Sequence, residues 1–229
     1  MLKTIICDNK NFEKKLLKYI SKGDVVNEKR KKVVSNIIED VRQNGDEALI
    51  KYTKKFEKKI YKNSKDFLVS QEEIEKAAGQ CSKDFHKSIN LAVKRIKSYQ
   101  NKIFPKTSFY KDKQGIKLGC IWSALSSCGL YVPGGKALYP SSVLMNAVPA
   151  QIAGVKRIVV VTPVLDKKIS PEILVACKAS GVTEIYKVGG VQAVAALAYG
   201  TKSIKKVDKI VGPGNAYVAE AKKQVYGQV

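Results

Sequence analysis

Apolar residues recur every three or four positions through the first part of the chain, the spacing that gathers them on one face of a helix. Phe12, Leu16, Leu17 and Ile20 form one such stripe. Val33, Val34, Ile37, Ile38 and Val41 form a second, which ends at Asn44-Gly45, a helix C-terminus signal. Asp46 can cap a following helix that carries Ala48, Leu49, Tyr52 and Phe56. Ser70 to Glu73 reads SQEE, a capping box, because the serine and the glutamate can each bond the other's backbone N–H. A further helix over about 82–102 carries Phe85, Ile89, Val93 and Ile96 and stops before Pro105.

The texture changes near residue 108. SFYKDKQGIKLGCIW predicts two strands around a Lys-Gln-Gly turn. Strands are then expected near Gly129–Val132 and within RIVVVTP, EIYKVGG and VDKIVGPG. They alternate with helices that start near Pro140, at Pro171 behind Ser170, at GGVQ and after GPGN. Pro149 falls inside one helical pattern and should kink it or mark its last turn. Short β-branched runs alternating with helices indicate right-handed βαβ units around a parallel sheet. The expected division is a helical segment over residues 1–107 and an α/β nucleotide-binding domain over 108–229.

Composition narrows the class. A hydrophobic fraction of 45% and a charged fraction of 27% are those of a globular protein, and no apolar run approaches the roughly 20 residues that span a bilayer. The opening MLKTIICDNKNFEKK has too short an apolar core for a signal peptide. Cys7, Cys81, Cys120, Cys128 and Cys177 are scattered, odd in number and form no CxxC, which suits a reducing compartment and small buried side chains. The expected location is cytoplasmic, with no membrane partner. The net charge of +22 raises the question of nucleic acid, but only Arg30, Arg42, Arg95 and Arg157 are arginine. Arginine is the residue that grips phosphates and guanine edges bidentately, and the lysines are spread over predicted helices, so the charge reads as solvated helix faces. His86 is the single histidine, set in a helical pattern, which argues against a His-rich zinc site or a Ser-His-Asp triad.

Three predicted strands run into glycine, in GLYVPGGKALYPSS, KVGGVQAVAAL and IVGPGNAYVAEA. In a parallel sheet these ends share one edge, where free N–H groups and the positive ends of helix dipoles face an incoming anion. Each loop taken alone could be no more than a tight βα turn. Together they make a nucleotide or another phosphorylated ligand plausible. There is no GxGxxG, and Lys136 behind Gly134-Gly135 lacks the spacing of a Walker A lysine.

Read in order, GLYVPGGKALYPSSVLMNAVPAQIAGVKRIVVVTP, EIYKVGGVQAVAALAYGT and KVDKIVGPGNAYVAEAKKQV closely resemble the histidinol dehydrogenase family. VVSNIIEDVRQNGDEALIKYTKKFE resembles its first helical segment. The resemblance covers nearly the whole chain. It implies an α/β fold in which a helical N-terminal segment precedes an incomplete Rossmann-like parallel sheet. It also implies oxidation of L-histidinol to L-histidine with NAD and zinc, and a homodimer. The family's NAD contacts carry over to Tyr131, Gln192 and Asn215, with Gly134, Gly135, Gly212 and Gly214 giving backbone room. Gln192 and Asn215 sit in the first turns of their helices, where an amide can bond ribose or phosphate.

The family's zinc ligands and its Glu-His acid/base pair come after GPGN and find no counterpart here, so no catalytic or metal-ligating residue is carried over. The expectation is an N-terminal, truncated part of such an enzyme, inactive alone, with a C-terminal half as its complement. The alternatives are a non-catalytic nucleotide-binding or interaction module, a same-family dehydrogenase acting on another alcohol, and a basic nucleic-acid-binding protein.

Overall fold

The computed structural model describes residues 11–58, 60–134, 139–164 and 168–229. The N-terminal stripes lie on one unbroken helix, α1 (Phe12–Asn44), rather than on separate ones. Between them only Gly23 interrupts the pattern, and one glycine costs a helix about 1 kcal/mol, too little to end it without a proline beside it. Gly45 ends α1 at φ +52°, its N–H donating to the Val41 carbonyl at 2.8 Å. Helix α2 (Asp46–Glu57) turns back at once, burying Ala48, Leu49 and Tyr52. The capping box at Ser70 forms as expected, with Glu73 N–H donating to Ser70 Oγ at 3.2 Å and Ser70 N–H to Glu73 Oε2 at 3.0 Å. It opens α3 (Gln71–Gln80), and Ser82 caps α4 (Lys83–Ile103).

Strands β1 (Ser108–Lys111) and β2 (Lys117–Cys120) form an antiparallel hairpin around the predicted turn. Asp112 Oδ1 accepts from the N–H groups of Gln114 and Ile116, both at 2.9 Å, which holds the turn. Every residue of the two strands is exposed.

The remaining elements alternate: β3 (Ser127–Tyr131), α5 (Pro140–Ile152), β4 (Arg157–Val161), α6 (Pro171–Ala179), β5 (Glu184–Tyr186), α7 (Gly190–Tyr199), β6 (Ile210–Val211) and α8 (Ala216–Gln224). The four strands β3 to β6 form one parallel sheet in the order β5-β4-β3-β6. Pro149 occupies the last turn of α5, where its carbonyl accepts from the Ala153 N–H at 2.9 Å.

Alternate side chains of each strand face opposite layers, as a pleated strand requires. Tyr131, Val159 and Val161 pack with α1, α2, α7 and α8. Cys128, Leu130, Ile158, Val160 and Ile185 pack with α3 to α6. Helices from before residue 107 therefore cover both faces of the sheet. The segment between α2 and α3 covers the sheet's β5 edge: Val69 N–H donates to the Ile185 carbonyl at 2.9 Å and Lys187 N–H to the Phe67 carbonyl at 2.7 Å. This strap is anchored by Phe67, wholly buried, its ring 4.7 Å from that of Tyr61.

At the N-terminal ends of the strands, Arg157 binds Glu184 through two hydrogen bonds, at 2.7 and 2.9 Å. Its guanidinium also donates to the carbonyls of Lys205 and Lys206. The ion pair holds the Glu184 carboxyl below its ordinary range.

Truncating the strap anchor should be costly. Phe67→Ala is expected to lower the unfolding free energy by about 3–5 kcal/mol, through lost burial and a residual cavity. Urea denaturation measures this, and a loss below about 1 kcal/mol would contradict the packing described.

Candidate functional site

Because the sheet is parallel, the C-terminal ends of β3, β4, β5 and β6 lie on one edge, and the loops that follow them meet there. A face of α1 around Val33 and Ile37 and the C-terminal end of α2 come to the same place. Together they enclose a cavity of about 460 Å³. Its walls are mostly apolar, with Val33 and Ile37 from α1, Phe56 from α2, and Pro163, Val191 and Tyr217 from the loop and helix side.

Tyr131 closes β3 and is 4% exposed. Its hydroxyl accepts from the Gly190 N–H at 3.0 Å, so the ring spans from its own strand to the start of α7. Burial pushes the phenol above its usual pKa. Gly134 lies against Pro163: a Cβ there would come 2.6 Å from the proline Cγ, so any side chain would force the two loops apart. Gly212 takes φ +107°, and a Cβ on it would stand 2.2 Å from the Tyr131 carbonyl oxygen. Its glycine is required by the close approach of the GPGN turn to β3 as well as by the backbone angle. Gly214 meets the Val218 side chain in the same way. Lys222 reaches back from α8 to donate to the Gly212 carbonyl at 3.1 Å, fixing the turn. Gly135 lies outside the described residues.

Gln192, in the first turn of α7, is 1% exposed and lines the cavity. Neither its Nε2 nor its Oε1 has a hydrogen-bond partner. A buried amide with both ends unmatched costs free energy, and native structures keep few such groups. Asn215 is different. It caps α8, its Oδ1 accepting from the N–H groups of Tyr217 at 2.9 Å and Val218 at 3.1 Å. The oxygen belongs to the helix, and what Asn215 can offer a ligand is its Nδ2.

Sequence reasoning missed Glu57. This last residue of α2 bridges two loops: Oε2 accepts from the Val164 N–H at 2.8 Å, after β4, and Oε1 from the Gly189 N–H at 3.0 Å, after β5. One signal could have found it. An acidic residue in the last turn of a helix opposes the helix dipole, so it is kept there for something beyond the helix. Burial raises the Glu57 carboxyl above its ordinary range, and the two backbone donors pull it part of the way back.

His86 stands apart from the cavity lining, on α4, its Nε2 2.9 Å from the Ala78 carbonyl. Among the described residues no group of three or more His, Cys, Asp or Glu side chains could hold a metal ion. Likewise no described helix is long and apolar enough to cross a membrane.

The chain matches the family model described as histidinol dehydrogenase over residues 21–229. It is 51% identical over 197 residues to the histidinol dehydrogenase of Rhodospirillum rubrum, covering 86% of this chain and 45% of that one. It is 45% identical to that of Brucella abortus over 229 residues, all of this chain and 53% of the relative. Among solved structures it resembles the crystal structure of histidinol dehydrogenase from Elizabethkingia anophelis, with a TM-score of 0.82 and 35% identity over 86% of this chain and 45% of that one. The chain thus spans about half the length of the curated relatives it matches.

The raised Glu57 pKa has a definite sign. The folded protein holds this proton more tightly than the unfolded chain does. The group's contribution to stability is therefore full below its ordinary value of 4.5 and is lost as pH rises through the folded value. Denaturation curves of the wild type and Glu57→Gln, taken at rising pH from 4.5, should show the wild type losing ground relative to the variant. A difference that stays flat across that range would refute the buried, destabilised carboxylate.

Proposed function

The chain belongs to the histidinol dehydrogenase family, and we propose that its sheet edge is the NAD-binding part of an enzyme that oxidises L-histidinol to L-histidine. The observation that carries this is Gln192, a buried amide with no partner on a residue that lines an apolar cavity at the strand ends. Such an arrangement suits a ligand whose own donors and acceptors complete the amide, and a flat base or carboxamide does so.

The residues present fit the cofactor. Tyr131, Gln192 and the Nδ2 of Asn215 would hold it, while Gly134, Gly212 and Gly214 let the loops around it pack closely on one another. The apolar walls would exclude water from the bound ring. When bound, NAD would supply the acceptor for the hydride that leaves the alcohol carbon. The side chains described here act by binding and orienting, and none is assigned a proton-transfer role. Zinc has no fitting ligand set among the described residues, so no step is routed through it. The zinc, the acid/base pair and the homodimer belong to the proposal for the whole enzyme.

Calorimetry tests the cofactor reading. The chain should bind NAD, and Gln192→Met, which nearly keeps the side-chain volume, should weaken that binding tenfold or more while leaving stability equal or higher, since it removes an unmatched buried group. Equal NAD affinity in the two proteins would sink the assignment of Gln192. In a separate assay, the chain with histidinol, NAD and zinc should yield no NADH. Adding a separately expressed segment that covers the remainder of a family member should restore zinc-dependent NADH production. Continued silence in that mixture would count against the proposed oxidation.

A further inference from the structure

The start of α7 has the form of an anion site: a glycine N-cap, free helix-end N–H groups and the positive end of the dipole. In this molecule its two outermost N–H groups are already taken. Gly189 N–H, at the N-cap, donates to Glu57 Oε1 at 3.0 Å, and Gly190 N–H donates to the Tyr131 hydroxyl at 3.0 Å. The second Glu57 oxygen accepts from the Val164 N–H, so both oxygens are engaged and the carboxylate is held in place from two loops. Glu57 and Gln192 line the same cavity.

We infer that Glu57 is a specificity-determining positioning residue. Its carboxylate takes the anion position at the start of α7, bars a phosphate from it, and leaves the cavity to the heterocyclic end of the ligand, which the unpaired Gln192 amide reads.

The inference rests on the dinucleotide reading of this cavity and narrows it. An ionised carboxylate inside an apolar cavity repels a phosphate placed beside it, and the low local dielectric strengthens that repulsion. The two outermost donors of that helix start, the Gly189 and Gly190 N–H groups, are engaged with Glu57 and Tyr131. What remains is an apolar slot between Phe56, Pro163 and Val191, with one amide that offers both a donor and an acceptor. That matches a flat ring with an amide-like edge, as in adenine or the carboxamide of nicotinamide.

The test is calorimetry on the chain at neutral pH. The probes are adenosine, adenosine 5′-monophosphate, nicotinamide riboside, nicotinamide mononucleotide and NAD, with wild type, Glu57→Gln and Glu57→Asp. In the wild type, at least one of the two nucleosides should bind no more weakly than its own monophosphate. Which of them does so identifies the ring. Glu57→Gln should improve that monophosphate about tenfold relative to its nucleoside, and Glu57→Asp, which keeps the charge, should restore the wild-type ratio. A purely structural role would weaken both ligands together and leave their ratio unchanged.

If both monophosphates bind tenfold tighter than their nucleosides in the wild type, the inference is overturned even where the glutamine variant fails to fold. It is also overturned if Glu57→Gln leaves the ratio unmoved while NAD still binds, which keeps the cofactor reading intact. Binding of none of the probes, NAD included, overturns both.

Discussion

Strand β3 pairs with β4 on one side and β6 on the other, and every functional feature follows from that register. Tyr131 stands opposite Val161, Val161 stands opposite Tyr186, and Leu130 stands opposite Val211. The four strands consequently end nearly level, and the loops after them converge. All five residues of β3 are buried, so both faces of the strand are specified by packing. A slip of one residue would turn Tyr131 away from α7 and Leu130 out of the opposite layer, at the cost of both clusters. The cavity is therefore a consequence of strand pairing, with the loops as its lining.

Within that frame, two buried polar groups show opposite strategies. Glu57 is matched by backbone donors from two loops and ties them together. Gln192 is matched by nothing, and an unsatisfied buried amide costs about 1–3 kcal/mol. The first rigidifies the cavity, and the second leaves it energetically incomplete. A ligand that completes Gln192 regains the free energy the folded chain forgoes, which is how a preformed site acquires affinity without moving its backbone.

Much of the fold was legible in the local pattern, because helix stripes and strand–glycine–helix junctions are short-range signals. Val33, Val34, Ile37, Ile38 and Val41 were recognisable as an apolar stripe from spacing alone, four of them buried and Val33 exposed, and the capping box at Ser70 was recognisable as well. The continuity of α1 was not, since the absence of a strong breaker is weaker evidence than the presence of one. The edge strap from Phe67 to Val69 was also invisible, because it pairs residues more than a hundred positions apart. Tyr131, Gln192 and Asn215 could be proposed as ligand contacts from motif resemblance, but the bonding state of their polar atoms could not be read there. Only the packed structure shows that Gln192 is buried unmatched, that Asn215 Oδ1 is engaged as a cap, and that the Tyr131 hydroxyl faces a neighbouring helix. Glu57 meets its partners across 107 and 132 residues of sequence, a separation that no periodicity encodes.

The strap on β5 also gives the sheet a direction. An antiparallel segment occupies the outer side of β5, and the bulk of Phe67 pins it there. At the opposite side β6 is a two-residue strand whose pairing, among the described residues, runs to β3 alone. A strand edge with open N–H and C=O groups accepts another strand, while a capped edge refuses one. The sheet is thus terminated at one margin and extensible at the other, so any lateral growth can proceed only outward from β6.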